Sequence, residues 1–388
     1  MIRNERLEIE VLRRRNTLLH VLEKVSGVPE NRISAKVLPI MLRAVCEHYF
    51  LKTGHPAQIV SHAVTCARKI SAGSASFANA VLRKALSHDD IRSLLPAPGE
   101  PDHLELLLSF PSWIVNEAGK VFADPGQSLA ALNESPPFTI RMVSSDPQAE
   151  AESLTARGFT LTPASLPKAF HVQGSVDITG TPEWRNGKIY IQDEASMLVA
   201  DIASKLPGRK ILDLCASPGG KITLLSELLP DSVCTASDLP DRLGLLRENI
   251  GRMKLQNIKV CSSKEVAGPF DIILVDAPCS SLGVIRRHPG IKWEKRRNDL
   301  GNLSRVQLML LEQAVSLLSP GGHIVYSTCT FSRLETVKVV ENLLSKHSEL
   351  EVIPLNRDFP DGTLTFPGLI MPGFQGMDCF FIAVLKKQ

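Results

Sequence analysis

Apolar and polar positions alternate with a helical period through residues 1–92. The stretches VLPIMLRAVCEHYFL, IVSHAVTCARKI and FANAVLRKAL place apolar side chains three and four residues apart, the spacing that gives a helix one buried face. The segments KTGHP and SAGSAS interrupt this pattern as turns do. We therefore predict an all-helical domain over residues 1–92. A helical linker is expected over residues 93–134, which contain PAPGEPD and PSWIVNEAGKVF.

The pattern changes after residue 134. Two strand-like runs, FTIRMV and AFHVQG, flank one helical stretch, so residues 135–186 are predicted to form a small α/β module. From residue 187, apolar runs such as KILDLCA, SVCTASD, FDIILVDAP and GGHIVYSTCT alternate with helical stretches. Such runs are typical of a mostly parallel sheet that is buried on both faces. We predict an α/β, Rossmann-like domain over residues 187–388, closed by an antiparallel hairpin of LEVIPL and CFFIAVLKK.

Composition narrows the choice of compartment and partner. The net charge is +3, but residues 1–92 carry 15 Lys and Arg against 8 Asp and Glu, which is +7 and leaves −4 for the rest. A basic helical domain indicates a polyanion as partner. The eight cysteines show neither a C-x-x-C pair nor zinc spacing. The chain has no signal-like start and no apolar run of about 18 residues. We expect a cytoplasmic protein with no metal and no membrane span.

A glycine pair marks the expected ligand site, because doubly wound sheets bind ligands beyond the carboxyl ends of their strands. The first strand of the last domain ends in DLCASPGGK, where Gly219 and Gly220 let the backbone approach a ligand closely. Ile222 after Lys221 excludes a Walker loop, and the spacing does not match G-x-G-x-x-G. The next strand ends in Asp238, which is suited to ribose hydroxyls. Together these features indicate a cofactor with a nucleoside; a tight turn alone is the simpler alternative.

Two cysteines follow successive strands of the predicted sheet. Cys279 comes after Pro278 has ended one strand, and Cys329 lies just past the polar end of the next. Because sequential strands are usually neighbours, we expect both thiols to face one cavity beside Asp276, although buried structural cysteines are the more common case. A thiolate there can add to carbon 6 of a cytosine, with Asp276 hydrogen-bonding the ring nitrogen. Carbon 5 then becomes nucleophilic enough to take a methyl group. One thiol would make this adduct and the other would help to break it.

A basic run follows the first of these cysteines. IRRHPGIKWEKRR, residues 285–297, contains six Arg or Lys against one Glu, together with Trp293. Basic side chains hold phosphates, and an aromatic face can stack a base. We therefore predict that this run contacts RNA beside the cysteine cavity, although a solvated loop has the same composition.

These motifs resemble those of the Sun/Fmu-type AdoMet-dependent RNA cytosine-C5 methyltransferases. DLCASPGGK is similar to the family's cofactor motif, DAPCSSLG to its Pro-Cys motif, and YSTCT to its Thr-Cys motif. IQDEAS resembles the segment that leads into the catalytic domain. PIMLRAVCEHYFL and FANAVLRKAL are similar to the NusB-like RNA-binding domain of the branch that acts on small-subunit ribosomal RNA. The resemblance covers nearly the whole chain.

The resemblance implies the roles of individual residues. It implies a class I methyltransferase fold, Cys329 as nucleophile and Cys279 as the residue that assists product release. Asp276 and Lys221 would lie near both the target base and the cofactor. The implied binding site for S-adenosyl-L-methionine (AdoMet) comprises Cys215, Ala216, Ser217, Pro218, Gly219, Gly220, Lys221, Asp238 and Asp276. The implied partner is small-subunit ribosomal RNA, and we expect a monomer.

The chain departs from the family pattern at four places. The third strand is followed by Ser262, Ser263 and Lys264, where the family usually has an Asp near the adenine. After the Thr-Cys motif, only Glu335 remains of the family's Pro-Glu-Glu-Asn. Cys379 stands where a Gly is usual, and Val143 stands where an Asn is frequent. None of these changes removes a catalytic group, so an active enzyme is expected. Two other functions stay open: a non-catalytic RNA-binding or ribosome-assembly factor, and a transfer RNA cytosine-C5 methyltransferase. A methyltransferase for exocyclic amines is disfavoured because its chemistry needs no cysteine.

Overall fold

The computed structural model describes residues 2–143, 146–174, 177–360 and 362–388, with the backbone alone for residues 2–4. It divides into two compact units. The first comprises Met1–Asn133 and Ile285–Lys295, and the second comprises Glu134–Val284 and Arg296–Gln388. The predicted domain boundaries after residues 92, 134 and 186 stay predictions, because a division into two units does not test a division into four domains.

The first unit is helical. Its N-terminal part contains α1 (Ile2–Arg13), α2 (Arg15–Ser26), α3 (Leu38–Cys46), α4 (Pro56–Arg68), α5 (Ala72–Ala85), α6 (His103–Leu107), α7 (Ser112–Gly119) and α8 (Pro125–Ala131). The helices begin where the chain offers start signals: Pro56 opens α4, where its missing N–H costs nothing, and the Ser71 hydroxyl accepts the N–H of Ser74 in α5. Their apolar faces meet in one core that includes Leu22, Met41 and Leu82. The prediction of a helical N-terminal domain is confirmed.

The second unit begins with a small four-stranded sheet. Its elements are β1 (Phe138–Met142), α9 (Pro147–Ala156), β2 (Thr160–Pro163), β3 (Ala169–Gln173), α10 (Pro182–Arg185) and β4 (Ile189–Ile191). The strand order is β2-β3-β1-β4, and all three pairings are antiparallel. Ile140 and Met142 of β1 pack with Leu154 of α9 in the core of this sheet.

The remainder of the chain forms alternating helices and strands. They are α11 (Glu194–Ser204), β5 (Lys210–Asp213), α12 (Gly220–Leu228), β6 (Val233–Asp238), α13 (Leu243–Arg252), β7 (Ile258–Ser262), β8 (Phe270–Asp276), α14 (Ile291–Glu294, in the first unit), α15 (Arg297–Leu317), β9 (Leu318–Thr328), α16 (Val337–Leu344), β10 (Leu350–Val352), β11 (Leu355–Phe359), β12 (Gly362–Phe366), β13 (Gly368–Leu369) and β14 (Phe381–Lys387).

The large sheet has the order β10-β14-β9-β8-β5-β6-β7. The pairings from β9 through to β7 are parallel, whereas β14 runs antiparallel to both β9 and β10. The predicted antiparallel closure therefore forms, but with added structure between its strands. β11 and β12 make a separate hairpin, and β13 pairs with β14. The prediction of a Rossmann-like, mostly parallel sheet is confirmed.

Both faces of this sheet are buried. Along β8, Ile272 and Leu274 point into one apolar core, and Ile273 and Val275 point into the core on the opposite face. This alternation explains why FDIILV reads as an uninterrupted apolar run. Within the described ranges, none of the helices has the length and apolar character needed to cross a membrane.

Candidate active site

The turn after β5 brings the backbone close to the carboxyl ends of the strands. Gly219 has a φ of 110°, a left-handed conformation that disfavours a side chain, and α12 begins at the next residue. The backbone N–H of Ala216 donates to the carbonyl of Ser237 at 2.9 Å. The Asp238 carboxylate accepts the N–H of Ser217 at 2.9 Å. The glycine turn is therefore fixed to the end of β6.

A cavity of about 200 Å³ lies at this turn. It is lined by residues 215–218, by Gly220, Lys221, Asp213 and Asp276, and by residues 190–193 and Ser196. Of the predicted cofactor residues, Gly219 and Asp238 do not line the cavity itself, but both fix the turn that does. The walls carry the carboxyl groups of Asp193, Asp213 and Asp276, a donor set that suits a cationic ligand.

Lys221 and Asp276 form the most direct ion pair in this cavity. The Lys221 ammonium lies 2.6 Å from Oδ2 of Asp276 and 3.0 Å from the Ser196 hydroxyl. The other oxygen of Asp276 accepts the Ser327 hydroxyl at 2.8 Å, because β8 and β9 pair in register at these two residues. Burial lowers the pKa of Lys221, but the attraction of Asp276 outweighs burial, so the pKa is raised and the side chain stays charged.

Asp213, the last residue of β5, is a further buried acid that the sequence analysis did not single out. Its side chain is 1% exposed, and its Oδ1 accepts the N–H of Cys215 at 3.2 Å. Burial and the nearby charge of Asp276 raise its pKa to about 7. Asp213 is the first residue of the motif DLCASPGGK, and this position was the signal that could have identified it.

The two motif cysteines meet at the ends of β8 and β9. The sulfur of Cys279 lies 3.3 Å from that of Cys329, and both are free, half-buried thiols. The hydrogen bond from Cys279 lowers the pKa of Cys329 despite desolvation of the sulfur. The same hydrogen bond, together with burial, raises the pKa of Cys279 well above its usual range. The pair therefore favours a thiolate on Cys329 and a proton on Cys279.

A chain of hydrogen bonds reaches this site from the small sheet. Arg141 of β1 is 1% exposed, and its Nε donates to the Gln192 side chain at 3.2 Å. The amide of Gln192 donates to Ser196 at 3.2 Å, and Ser196 in turn contacts the Lys221 ammonium. The guanidinium of Arg141 also binds Glu227. Arg141 and Gln192 thus extend the site beyond the residues found from sequence.

The basic run after Cys279 corrects one prediction. Lys292 is 1% exposed, and its ammonium donates to the carbonyls of Arg13 and Ser109 and to the Asn133 side chain, at 2.6–3.1 Å. The indole of Trp293 donates to the carbonyl of Leu12 at 2.8 Å. The prediction that this run contacts RNA is therefore wrong for Lys292, whose ammonium is buried in the first unit, and stays a prediction for Trp293 and the exposed Arg296 and Arg297.

Comparison with known proteins decides the family. The model for 16S rRNA methyltransferase RsmB/F matches residues 203–386, and the NusB family model matches residues 5–87. The probable ribosomal RNA small subunit methyltransferase B of Bacillus subtilis (strain 168) is 31% identical over 334 residues, which cover 81% of this chain and 74% of the relative. The chain belongs to the RsmB/F family of 16S rRNA methyltransferases. The predicted class, an RNA methyltransferase with AdoMet as cofactor, is confirmed at this level.

Other relatives agree with this family. Ribosomal RNA small subunit methyltransferase B of Xylella fastidiosa (strain Temecula1) is 30% identical over 393 residues, covering 97% of this chain and 88% of the relative. A methyltransferase homologue from Pyrococcus horikoshii, of known structure, is 27% identical with a TM-score of 0.64, covering 76% of this chain and all of that one. The protein PH0851 shares the fold, with a TM-score of 0.78 at 23% identity, over 99% of this chain and 89% of its own.

The structure shows the contacts made at two of the positions where the sequence departs from the family pattern. At the end of β7, Ser262 donates its backbone N–H to the Glu265 carboxylate at 3.0 Å. A carboxylate therefore reaches this strand end from three residues further along the chain. Cys379 is buried, and its N–H donates to the carbonyl of Gly283 at 3.2 Å, so it belongs to the framework behind the cysteine loops.

Proposed function

We propose that this protein transfers a methyl group to carbon 5 of a cytidine in small-subunit ribosomal RNA through a covalent bond between Cys329 and the base. The observation that carries the proposal is the 3.3 Å separation of the Cys279 and Cys329 sulfurs. In that arrangement the Cys329 thiol has the lowered pKa. Asp276, which forms an ion pair with Lys221, ends the adjoining strand β8. The relatives from Bacillus subtilis and Xylella fastidiosa are named as methyltransferases of the ribosomal RNA small subunit, which supports the substrate.

The residues of the glycine turn fit AdoMet as the cofactor. Gly220 lines the cavity and has no side chain to obstruct a ligand, and the carboxyl-rich wall suits a sulfonium cation. Residues 215–221 would hold the cofactor. The two oxygens of Asp238 accept the N–H groups of Ser217 and Leu239, and their remaining lone pairs would accept the ribose hydroxyls. Glu265 would supply the carboxylate near the adenine in place of the usual Asp. When bound, AdoMet supplies an electrophilic methyl group.

Cys329 begins the reaction as nucleophile. The cytidine leaves its stack to reach the site, because its ring atoms are not accessible within a helix. The Cys329 thiolate forms a bond to carbon 6, and the electron pair of the 5,6 double bond moves to carbon 5. Because the ring nitrogen N3 only accepts hydrogen bonds, Asp276 would bind the base in its protonated form and donate that proton to N3. This donation stabilises the charge that moves into the ring, while Lys221 and Ser327 hold the Asp276 side chain in place.

The second half of the reaction restores the aromatic ring. Carbon 5 would take the methyl group while the electron pair of the broken methyl–sulfur bond stays on the cofactor's sulfur, and the carbon-5 proton would then pass to a base. The carbon–sulfur bond breaks as its electron pair leaves with Cys329 and the 5,6 double bond forms again. Cys279, which lies in contact with the Cys329 sulfur and carries a proton, assists this release.

Methylation mapping tests the proposal directly. The purified protein is incubated with isotopically labelled AdoMet and either naked small-subunit ribosomal RNA, the assembled subunit or transfer RNA, and products are located by bisulfite sequencing. We expect 5-methylcytidine at a discrete position in ribosomal RNA. Transfer RNA methylated in preference would favour the transfer RNA alternative. Failure to bind AdoMet in calorimetry would favour the non-catalytic assembly factor.

A further inference from the structure

A buried glutamate lies between the two cysteine loops. Glu335 ends a single 3-10 turn, Arg333–Glu335, that follows the Thr-Cys motif, and its side chain is 0% exposed. Its Oε1 accepts the backbone N–H of Ser280 at 2.8 Å and the Gln307 side-chain amide at 3.1 Å. Its Oε2 accepts the Ser280 hydroxyl at 2.5 Å and lies 3.4 Å from the Thr330 hydroxyl. The mechanism proposed above does not use this group.

The partners of this carboxylate are the residues that directly follow the two cysteines. Ser280 is adjacent to Cys279, and Thr330 is adjacent to Cys329. The hydroxyls of Ser280 and Thr330 are also 2.8 Å apart, so the two loops and the carboxylate form one closed network. The Tyr326 hydroxyl donates to the backbone carbonyl of Glu335 at 2.6 Å, which fixes the turn to β9.

We propose that Glu335 is a positioning residue: its buried carboxylate ties the residue after Cys279 to the residue after Cys329 and thereby fixes the separation of the two sulfurs. The expected effect of Glu335 on turnover rests on the proposed function. Its expected effect on the reactivity of the thiols concerns the protein without RNA. Glu335 contacts neither sulfur through the hydrogen bonds described here, so it acts through Ser280 and Thr330.

A carboxylate is suited to this place because its oxygens only accept hydrogen bonds. The Ser280 N–H and the Gln307 amide are obligatory donors, and the two hydroxyls can donate as well. An amide at residue 335 would keep one acceptor and turn its NH₂ group toward a donor. The charge of Glu335 also acts on the thiols. It contributes to the raised pKa of Cys279, to which the hydrogen bond to Cys329 and burial contribute more.

The test compares three variants of the full-length protein. Glu335→Ala removes the network, Glu335→Gln keeps one acceptor, and Glu341→Ala removes an exposed glutamate of the following helix as a matched control. Alkylation of Cys279 and Cys329 by iodoacetamide is followed across pH by peptide mass spectrometry, without RNA. kcat and KM for RNA are measured in parallel, and thermal melting and AdoMet binding report on folding.

We expect Glu335→Ala to move alkylation of Cys329 to higher pH and to lower kcat roughly ten- to a hundredfold, with KM for RNA nearly unchanged. Glu335→Gln should fall between Glu335→Ala and wild type, and Glu341→Ala should match wild type. A folded Glu335→Ala protein with wild-type alkylation and kcat would overturn the proposal. Should Glu335→Ala fail to fold, Glu335→Gln decides by the same two measurements.

The proposed function and this inference can fail separately. A wild-type protein that makes no 5-methylcytidine would refute the proposed function, yet a shift of Cys329 alkylation in the Glu335 variants would still support the positioning role. Conversely, normal methylation together with wild-type alkylation of Cys329 in folded Glu335→Gln and Glu335→Ala proteins would leave the proposed function intact and refute the role of Glu335.

Discussion

The sulfur of Cys279 lies 3.3 Å from the sulfur of Cys329, and each follows a strand of the same parallel pair. Because Asp276 pairs in register with Ser327, the two strands end at the same height and their loops face each other. The contact makes the two thiols unlike: the pKa of Cys329 is lowered by the hydrogen bond from Cys279, and that of Cys279 is raised. Two chemically identical side chains can therefore take different roles.

Replacing each cysteine separately tests this division of roles. We expect Cys329→Ala to abolish methyl transfer, because the neighbouring thiol of Cys279 has a raised pKa and stays protonated. Cys279→Ala should still transfer the methyl group but release its product slowly, so a covalent RNA–protein adduct accumulates. A denaturing gel with labelled RNA detects the adduct. Normal turnover by Cys279→Ala, without an adduct, would contradict the assignment.

Removing Cys279 should also change the reactivity of its neighbour. The hydrogen bond from Cys279 is the largest cause of the lowered pKa of Cys329, so Cys279→Ala should raise that pKa. The pH at which Cys329 is half-maximally alkylated should therefore rise, measured without RNA by peptide mass spectrometry. Cys66, whose thiol lies in the first unit, serves as an internal control and should be unaffected. An unchanged profile for Cys329 would show that the S–H···S contact has no electrostatic effect.

Asp213 should make the stability of the protein depend on pH. The pKa of Asp213 is raised from 3.8 to about 7 in the folded state, so folding favours its protonated form. The stability gained from this protonated form is complete below about pH 4 and is lost as the pH rises through 7. Asp213→Asn cannot titrate but can still accept the N–H of Cys215. We expect this variant to gain stability over wild type between pH 5 and pH 8, by at most roughly 4 kcal/mol. Urea unfolding measures the difference.

A control substitution separates this effect from general changes in charge. Asp231 is an exposed residue in the turn before β6, outside the cavity. Asp231→Asn should differ from wild type by a similar amount at every pH in this range. A constant difference between Asp213→Asn and wild type across the range would show that Asp213 ionises normally in the folded protein.

The Arg141–Glu227 pair should be strongly coupled. The Arg141 side chain is 1% exposed and that of Glu227 is 12% exposed, so removing one partner leaves the other buried without its counter-charge. We expect Arg141→Met to lower the free energy of unfolding by about 3 kcal/mol, and the double variant with Glu227→Met to recover most of this loss. The exposed pair Lys338–Glu341 serves as control, and Lys338→Met should cost under about 1 kcal/mol. Additive effects of the two single substitutions would rule out the coupling.

The sequence predicted the cysteine site well because its signals were local. Cys279 and Cys329 each follow an apolar strand, and sequential strands usually pair, so their proximity needed no knowledge of distant contacts. The burial of Lys292 could not be predicted in this way. Its ammonium is held by oxygens of Arg13, Ser109 and Asn133, which lie 159 to 279 residues away along the chain. At Lys292, the charge of the run therefore predicted an exposed side chain where the fold has a buried one.

Glu335 and the β11–β12 hairpin show the same limit. Glu335 was noticed only as the remaining residue of a motif, since nothing in the sequence links it to Ser280, which lies 55 residues earlier. The hairpin has no continuous apolar run: β11 alternates between half-buried and exposed positions, and β12 alternates between exposed and buried ones. Contacts that follow from the pairing of successive strands were predictable, whereas side-chain networks that no strand pairing implies needed the structure.

Two glycines of the second unit should respond to alanine with opposite signs. A Cβ on Gly283 would meet the carbonyl oxygens of Cys379 and Cys329, both of which belong to backbone that cannot move aside easily. Gly283→Ala should therefore destabilise the protein by about 2–3 kcal/mol and also reduce kcat, because it displaces the loop of the nucleophile.

Gly301 lies inside α15 with nothing near its added Cβ. Gly301→Ala should raise the free energy of unfolding by about 0.5–1 kcal/mol with kcat unchanged, since alanine loses less backbone entropy in a helix. Urea unfolding and single-turnover methylation measure both variants. Equal and small effects at the two positions would show that the approach of Cys379 to Gly283 does not hold the cysteine loops in place.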